Sequence, residues 1–136
     1  MKQYEVTQSK VTFWYRILNK VIFEGKLKPF SSITIRNHRK AYAYCSGDFD
    51  LFGEPFYWLS IRPKFNSLSQ FLEILAHEMV HAYQFLDEGR ITHGKSFLIW
   101  YDKFKECGLN LTVKVRDKEY EDCLGKKIKA LVSAKK

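Results

Sequence analysis

The sequence is poor in the residues that mark several classes of protein. Its 136 residues include only three cysteines, three prolines and seven glycines. No two cysteines have C-x-x-C spacing, which excludes a zinc ribbon built on cysteine pairs. With 46% hydrophobic and 28% charged residues, the composition excludes collagen-like and disordered chains. Length and composition therefore predict one globular domain over residues 1–136.

Long hydrophobic runs are also lacking. No uninterrupted run is longer than the one at residues 97–101, whereas a membrane span needs about 20 apolar residues. Residues 1–5 contain no apolar core of a signal peptide. We therefore expect a cytoplasmic protein that is not secreted and does not associate with a membrane. In that compartment Cys45, Cys107 and Cys123 are expected to be reduced thiols.

Acidic residues are few relative to basic ones, and the net charge of +8 is unevenly distributed. Residues 1–40 hold nine Lys/Arg and two acids, whereas residues 126–136 hold five lysines and no acid. This pattern suggests a polyanionic partner, nucleic acid first, and the alternative is a charged surface that serves solubility alone. The candidate nucleic-acid contacts are Arg36, Arg39, Lys40, Tyr42, Lys126, Lys127 and Lys129, with Tyr44 as a further ring that stacks on bases.

Hydrophobic periodicity predicts an α+β fold. The predicted helices cover residues 6–23 with Gly25 as C-cap, residues 68–87 with Ser67 or Ser69 as N-cap, and residues 92–107 with Thr92 as N-cap. The predicted strands of a small antiparallel sheet cover residues 33–35, 42–45 and 56–61, with a hairpin tip at 37–40 and a loop at 46–55; a later strand covers 109–115. The strand at 56–61 either packs the core or aligns a substrate strand.

The segment His77-Glu78-Met79-Val80-His81 lies within the second predicted helix. Histidines at i and i+4 share one face of a helix, and that spacing lets both rings reach one Zn²⁺. An apolar stripe from Leu72 to Leu86 lies on the opposite face. Glu78 lies to one side of both histidines, which is the position of a general base acting on a zinc-bound water.

A catalytic zinc site needs a third protein ligand. Glu88 lies seven residues past His81, about 10.5 Å along the axis, too far while the helix continues. Gly89 allows the chain to turn, and His93 then follows. We therefore predict His93 as the third ligand, whereas His38 is expected to be solvent-exposed. Attack of the zinc-bound water on a carbonyl would form an oxyanion, which needs a hydrogen-bond donor. Tyr44, Tyr57 and a backbone N–H remain alternatives for that donor.

These residues resemble the SprT-like metalloprotease domain, which includes the Spartan proteases. The resemblance rests on residues 76–83 and 92–97, on residues 18–27 at the end of the first helix, and on residues 108–113. It implies a minigluzincin-like zincin domain with one Zn²⁺ held by His77, His81 and His93, and with Glu78 as the catalytic glutamate. The core of this domain is expected at residues 6–116, followed by a basic extension at 117–136.

The resemblance also implies an activity and its partners. The expected function is zinc-dependent cleavage of proteins bound or crosslinked to DNA, in the cytoplasm or nucleoid, or in the nucleus of a eukaryote. The expected partners are DNA and DNA-bound protein substrates, without a dinucleotide cofactor. The alternatives are a non-catalytic zinc-containing module that binds DNA or protein, and a zinc hydrolase acting on a non-protein amide.

Overall fold

The structure is a computed structural model that describes residues 3–111. Within this range the predicted α+β fold is confirmed. The helices are α1 (Gln8–Ile22), α2 (Leu68–Glu88), α3 (Lys95–Leu98) and α4 (Tyr101–Glu106). The strands are β1 (Tyr4–Glu5), β2 (Ile33–Ile35), β3 (Ala43–Phe49), β4 (Pro55–Ile61) and β5 (Lys64–Phe65). No helix in this part of the chain combines the length and apolar character needed to cross a membrane.

The larger sheet has three strands in the order β2-β4-β3. Strands β3 and β4 form an antiparallel hairpin, in which Ala43 faces Ile61, and β2 pairs with β4 in parallel. Because β4 lies between the other two strands, the hairpin tip predicted at residues 37–40 is wrong. These residues belong to the loop at 36–42, which we term the crossing loop because it runs from one edge of the sheet to the other. Side-chain alternation reveals a strand but does not identify its neighbour.

The loop predicted at residues 46–55 is shorter in the structure, because β3 continues to Phe49 and β4 starts at Pro55. The carboxylate of Asp50 accepts the backbone N–H groups of Phe52 and Glu54, which fixes the tight turn. Within β3, an added Cβ at Gly47 would lie 2.6 Å from the Phe85 ring of α2. Glycine at this position therefore lets β3 lie directly across α2.

Helix α1 begins after Thr7, whose hydroxyl accepts the N–H of Lys10, and ends at the C-cap Phe23. The predicted cap Gly25 instead lies two residues further on and has a positive φ of 76°. Trp14, Leu18 and Ile22 are buried as one row, as their spacing predicts. Phe13 is 47% exposed because it lies beyond the face that packs on α2 and the sheet.

Helix α2 has the predicted ends. The hydroxyl of Ser67 accepts the N–H of Gln70, and Gly89 closes the helix in the left-handed region at φ 74°. The helix is buried almost along its whole length, polar positions included, because β3, β4, α1 and α3 all pack around it. Three of its buried polar side chains, His77, Glu78 and His81, line one cleft.

The helix predicted at residues 92–107 is present as the two short helices α3 and α4. Gly94 is the N-cap in place of Thr92, whose hydroxyl accepts the Gly94 N–H instead. Between the helices, Trp100 packs on Phe23 and Tyr83. Of the strand predicted at 109–115, residues 109–111 are not in a strand, and the remainder lies outside the described residues.

Candidate metal centre

The structure brings the three predicted ligand histidines together at one point. His77 and His81 lie one turn apart on α2, and His93 arrives from the segment between Gly89 and α3. The Nε2 atom of His81 lies 3.2 Å from that of His77 and 3.1 Å from that of His93. The Nε2 atoms of His93 and His77 lie 3.3 Å apart. Three imidazole nitrogens therefore converge. Within the part of the chain that the structure describes, these three histidines are a group that could hold a metal ion.

The spacing of these nitrogens fits one small cation. Two nitrogens bound at ~2.0–2.1 Å to one tetrahedral ion lie about 3.3 Å apart. The observed separations of 3.1 to 3.3 Å are close to this value. Neutral imidazoles that meet through their lone pairs repel each other, and a cation between them removes that repulsion. The donor set thus fits a metal ion that prefers imidazole ligands.

Gln84 fixes the orientation of His81. Its Oε1 lies 2.8 Å from Nδ1 of His81 and also accepts the backbone N–H of Thr92 at 3.3 Å. Because an N–H can only donate, the amide oxygen must point this way, and Nδ1 must carry the proton. The Nε2 atom of His81 is then the lone-pair atom that points toward the other two histidines.

Gln84 also ties α2 to the segment that carries His93. Its Nε2 donates to the hydroxyl of Ser96 at 2.8 Å, and its Oε1 accepts from Thr92, next to His93. Gln84 is almost completely buried, so these bonds do not compete with water. One amide therefore sets both the tautomer of His81 and the position of the third histidine.

We expect Gln84→Ala to weaken metal binding about 10–100-fold, the usual cost of losing an outer partner of a ligating histidine. Gln84→Glu should restore most of the affinity, because its carboxylate still accepts from Nδ1 of His81. A chelator competition titration measures both affinities, and thermal melting of the metal-free proteins reports on folding separately. Wild-type affinity in Gln84→Ala would show that the amide does not position His81.

Phe97 forms the wall behind the histidines. Its ring centroid lies 4.8, 5.1 and 4.9 Å from those of His77, His81 and His93. The side chain is fully buried. This packing limits rotation of all three imidazoles and keeps water away from one side of the cluster.

Glu78 lies beside the histidine cluster. Its Oε2 is 3.9 Å from Nε2 of His77, and the residue is only 7% exposed. Burial raises the pKa of Glu78 to about 8 in the metal-free protein, although the backbone N–H of Cys45 on β3 acts in the opposite direction. Burial lowers the pKa of His81, although its hydrogen bond to Gln84 acts in the opposite direction.

A cleft of about 400 Å³ opens over the cluster. Besides the three histidines and Glu78, its lining includes residues 40–45, Ile74, Arg62 and Ile91. Strand β3 forms one wall and is an edge strand of the sheet. Both edges of β4 are paired, which excludes the proposed alignment of a substrate strand along residues 56–61.

Two further predictions change at this site. Tyr57 is buried in the core, where its hydroxyl contacts the Lys28 backbone and Tyr15, so it is not a donor to the oxyanion. His38 lies outside the histidine cluster, as predicted, but it is half-buried because its Nε2 contacts the hydroxyl of Ser60 at 2.6 Å.

The candidate nucleic-acid contacts are separated along the chain. Arg36, Arg39 and Lys40 are exposed on the crossing loop, and Lys40 also lines the cleft. Tyr42 is half-buried, stacks on Phe65 and lies under the guanidinium of Arg62. Lys126, Lys127 and Lys129 lie outside the described residues. Cys45 is a half-buried free thiol, Cys107 is buried, and Cys123 also lies outside this range.

Sequence reasoning missed two residues of the site. Gln84 lies three residues after His81 and on the same helical face. Spacing alone could therefore have identified it as a hydrogen-bond partner of the ligating imidazole. Arg62 lines the cleft immediately after β4, where only the sheet order reveals that it is close to Tyr42.

The fold and the site define an α+β protein whose candidate metal centre lies on a helix with the H-E-x-x-H pattern. The model of the SprT-like family matches residues 11–117. The chain therefore belongs to the SprT-like family, which confirms the resemblance found in the sequence. No curated protein sequence matches the chain.

Proposed function

We propose that this protein is a zinc-dependent endopeptidase that acts on proteins associated with or crosslinked to DNA. The observation that carries the peptidase part is the position of Glu78. Its carboxylate is buried beside three converging imidazole nitrogens but is 3.9 Å from the nearest of them. A purely structural metal site has no use for such a group, whereas hydrolysis needs a base at this position. Membership of the SprT-like family supports the same activity.

The residues divide into two roles. His77, His81 and His93 would hold the zinc ion, with Gln84 and Phe97 fixing their orientation. Bound zinc supplies a Lewis acid that polarises a carbonyl and makes a water molecule more acidic. Glu78 accepts the proton of the attacking water and returns it to the leaving amine. The backbone N–H of Cys45 orients the Glu78 carboxylate for this transfer.

The second edge of β3, with which none of the described strands pairs, offers a way to align the substrate. The N–H of Cys45 faces Glu78, so the edge of β3 that does not pair with β4 faces the site. An extended peptide that pairs with this edge would pass over the histidine cluster. Backbone pairing of this kind accepts many sequences, which suits an enzyme whose substrates are defined by their attachment to DNA.

Positive charge beside the cleft supports the DNA part of the proposal. Residues 25–47 contain five Lys/Arg and no acid. Within this stretch Arg39 and Lys40 are exposed, and Lys40 lines the cleft itself. DNA held by this loop would bring an attached protein to the entrance of the site, and the protein would then act at the nucleoid, or in the nucleus of a eukaryote.

Cleavage of a DNA-binding protein, with and without its DNA, tests the proposal. The zinc-loaded enzyme is expected to cleave the protein faster when DNA is present, and a chelator should stop the reaction in both cases. Raising the salt concentration should remove the stimulation by DNA first, since phosphate contacts are sensitive to salt. Cleavage that is indifferent to DNA would contradict the nucleic-acid part. No cleavage by the zinc-loaded protein would contradict the peptidase part and favour a binding module.

A further inference from the structure

The three-stranded sheet has two faces of different character. Alternate side chains of β3 and β4, such as Ala43, Leu59 and Ile61, are buried. Gly47 on this inner face touches Phe85 of α2. The opposite side chains form what we term the outer sheet face. It consists of Thr34, Tyr44, Ser46, Asp48, Phe56, Trp58 and Ser60.

The outer sheet face carries aromatic rings that none of the described helices covers. Tyr44 is 45% exposed, while Phe56 and Trp58 are partly exposed and contact each other at 5.7 Å between ring centroids. Tyr44 lies opposite Ser60, which makes it a diagonal neighbour of Trp58. The three rings therefore form a strip of partly exposed apolar side chains on one side of the sheet.

Positive charge borders this strip at one end. Arg36 follows β2 with the same side-chain alternation as Thr34, and its N–H donates to the carbonyl of Ile61. His38 holds the crossing loop against the outer sheet face, because its ring contacts the Ser60 hydroxyl and packs edge-on against Tyr44. The exposed Arg39 and Lys40 follow directly. The only acid on the outer sheet face, Asp48, lies at the opposite end, opposite Phe56.

We infer that the outer sheet face binds single-stranded nucleic acid, with bases stacked on Trp58 and Tyr44 and phosphates held by Arg36, Arg39 and Lys40. Flat rings beside cations match the two features that every single strand presents, namely base faces and a charged backbone. A duplex hides its base faces, so the strip favours a single strand. The choice of nucleic acid as partner rests on the proposed function. The strand would leave the outer sheet face along the crossing loop, whose Lys40 lines the cleft.

Trp58 supplies a direct reporter of this contact. Trp14 is buried in the core and Trp100 packs against Phe23 and Tyr83, so Trp58 is the tryptophan on the outer sheet face. We expect a short oligo-dT to quench the fluorescence of the full-length protein saturably at low salt. Trp58→Phe should remove most of the quenching while a labelled oligo-dT still binds by fluorescence anisotropy. The metal-free protein should give the same result, because Trp58 is not among the residues that line the cleft over the histidines.

Substitutions then separate stacking from general charge attraction. Tyr44→Ala and Trp58→Leu should each weaken oligo-dT binding about tenfold, whereas Phe52→Ala, which removes an exposed ring of the β3–β4 turn, should have no effect. Arg36→Gln should reduce the slope of log K against log salt by about 0.7, and Lys105→Gln on α4 should leave it unchanged. Circular dichroism confirms that each variant is folded.

Several results would overturn the inference. Equal weakening by Phe52→Ala and Tyr44→Ala would do so, as would a duplex that binds as tightly as oligo-dT. Trp58 could also be shielded from acrylamide in the free full-length protein, with a fluorescence that oligo-dT does not change. That result would indicate that residues 112–136, and not a nucleic acid, occupy the outer sheet face. Oligo-dT binding without peptidase activity would contradict the proposed function alone. DNA-stimulated cleavage that survives Tyr44→Ala and Trp58→Leu unchanged would contradict this inference alone.

Discussion

Glu78→Gln is expected to lower kcat for peptide cleavage by about 10²–10⁴-fold, the contribution of a positioned general base. The amide has the same size as the carboxylate and its oxygen can still accept the N–H of Cys45, so the fold and the cleft should persist. It cannot, however, take a proton from water near neutral pH. The measurement is the rate of cleavage of a protein substrate at saturating concentration, with the zinc content of both proteins determined beforehand.

Two controls make this result specific to Glu78. Zinc content should be the same in wild type and Glu78→Gln, because Glu78 lies outside the group of converging nitrogens. Glu88→Gln, which neutralises an exposed acid near the end of the same helix, should retain wild-type kcat. Full activity in Glu78→Gln would refute the role of general base. Loss of zinc from that variant would instead show that the carboxylate holds the metal.

The central helix and two of its histidines could be predicted from sequence because their determinants are local. Ser67 and Gly89 act on the ends of α2 through bonds within a few residues. The spacing of His77 and His81 follows from helix geometry alone. The place of His93 was predictable for a related reason. Only one short turn separates it from α2, so few positions were open to its ring.

The order of the strands could not be read in the same way. Residues 33–35 and 42–45 look like successive strands of a hairpin, yet β4 pairs with both β2 and β3. What decides this order is burial of β4 between two partners over α2, a property of the complete core. The outer sheet face depends on the same order, because Tyr44 and Trp58 become neighbours only through the pairing of β3 with β4.

His93→Ala is expected to lower metal affinity by more than the 10–100-fold cost of losing an outer partner, and to abolish cleavage at limiting metal. The Nε2 atoms of the three histidines lie within 3.3 Å of one another. Removal of one ring leaves two protein donors where a catalytic zinc needs three. Because His93 is exposed on a short connection, its loss should leave the core intact. Metal per chain after dialysis, measured by mass spectrometry, gives the affinity loss, and circular dichroism reports the fold.

His38→Ala is the matched control for this prediction. It removes the fourth histidine of the chain, which contacts Ser60 and Tyr44 on the opposite side of the sheet from α2. This variant should keep its full metal content and its peptidase activity in the absence of DNA. Metal retention in His93→Ala equal to that of His38→Ala would show that the ion is held without the third ring. In that case His93 would not be a ligand, and the site of three histidines on which the hydrolytic role of Glu78 depends would be contradicted.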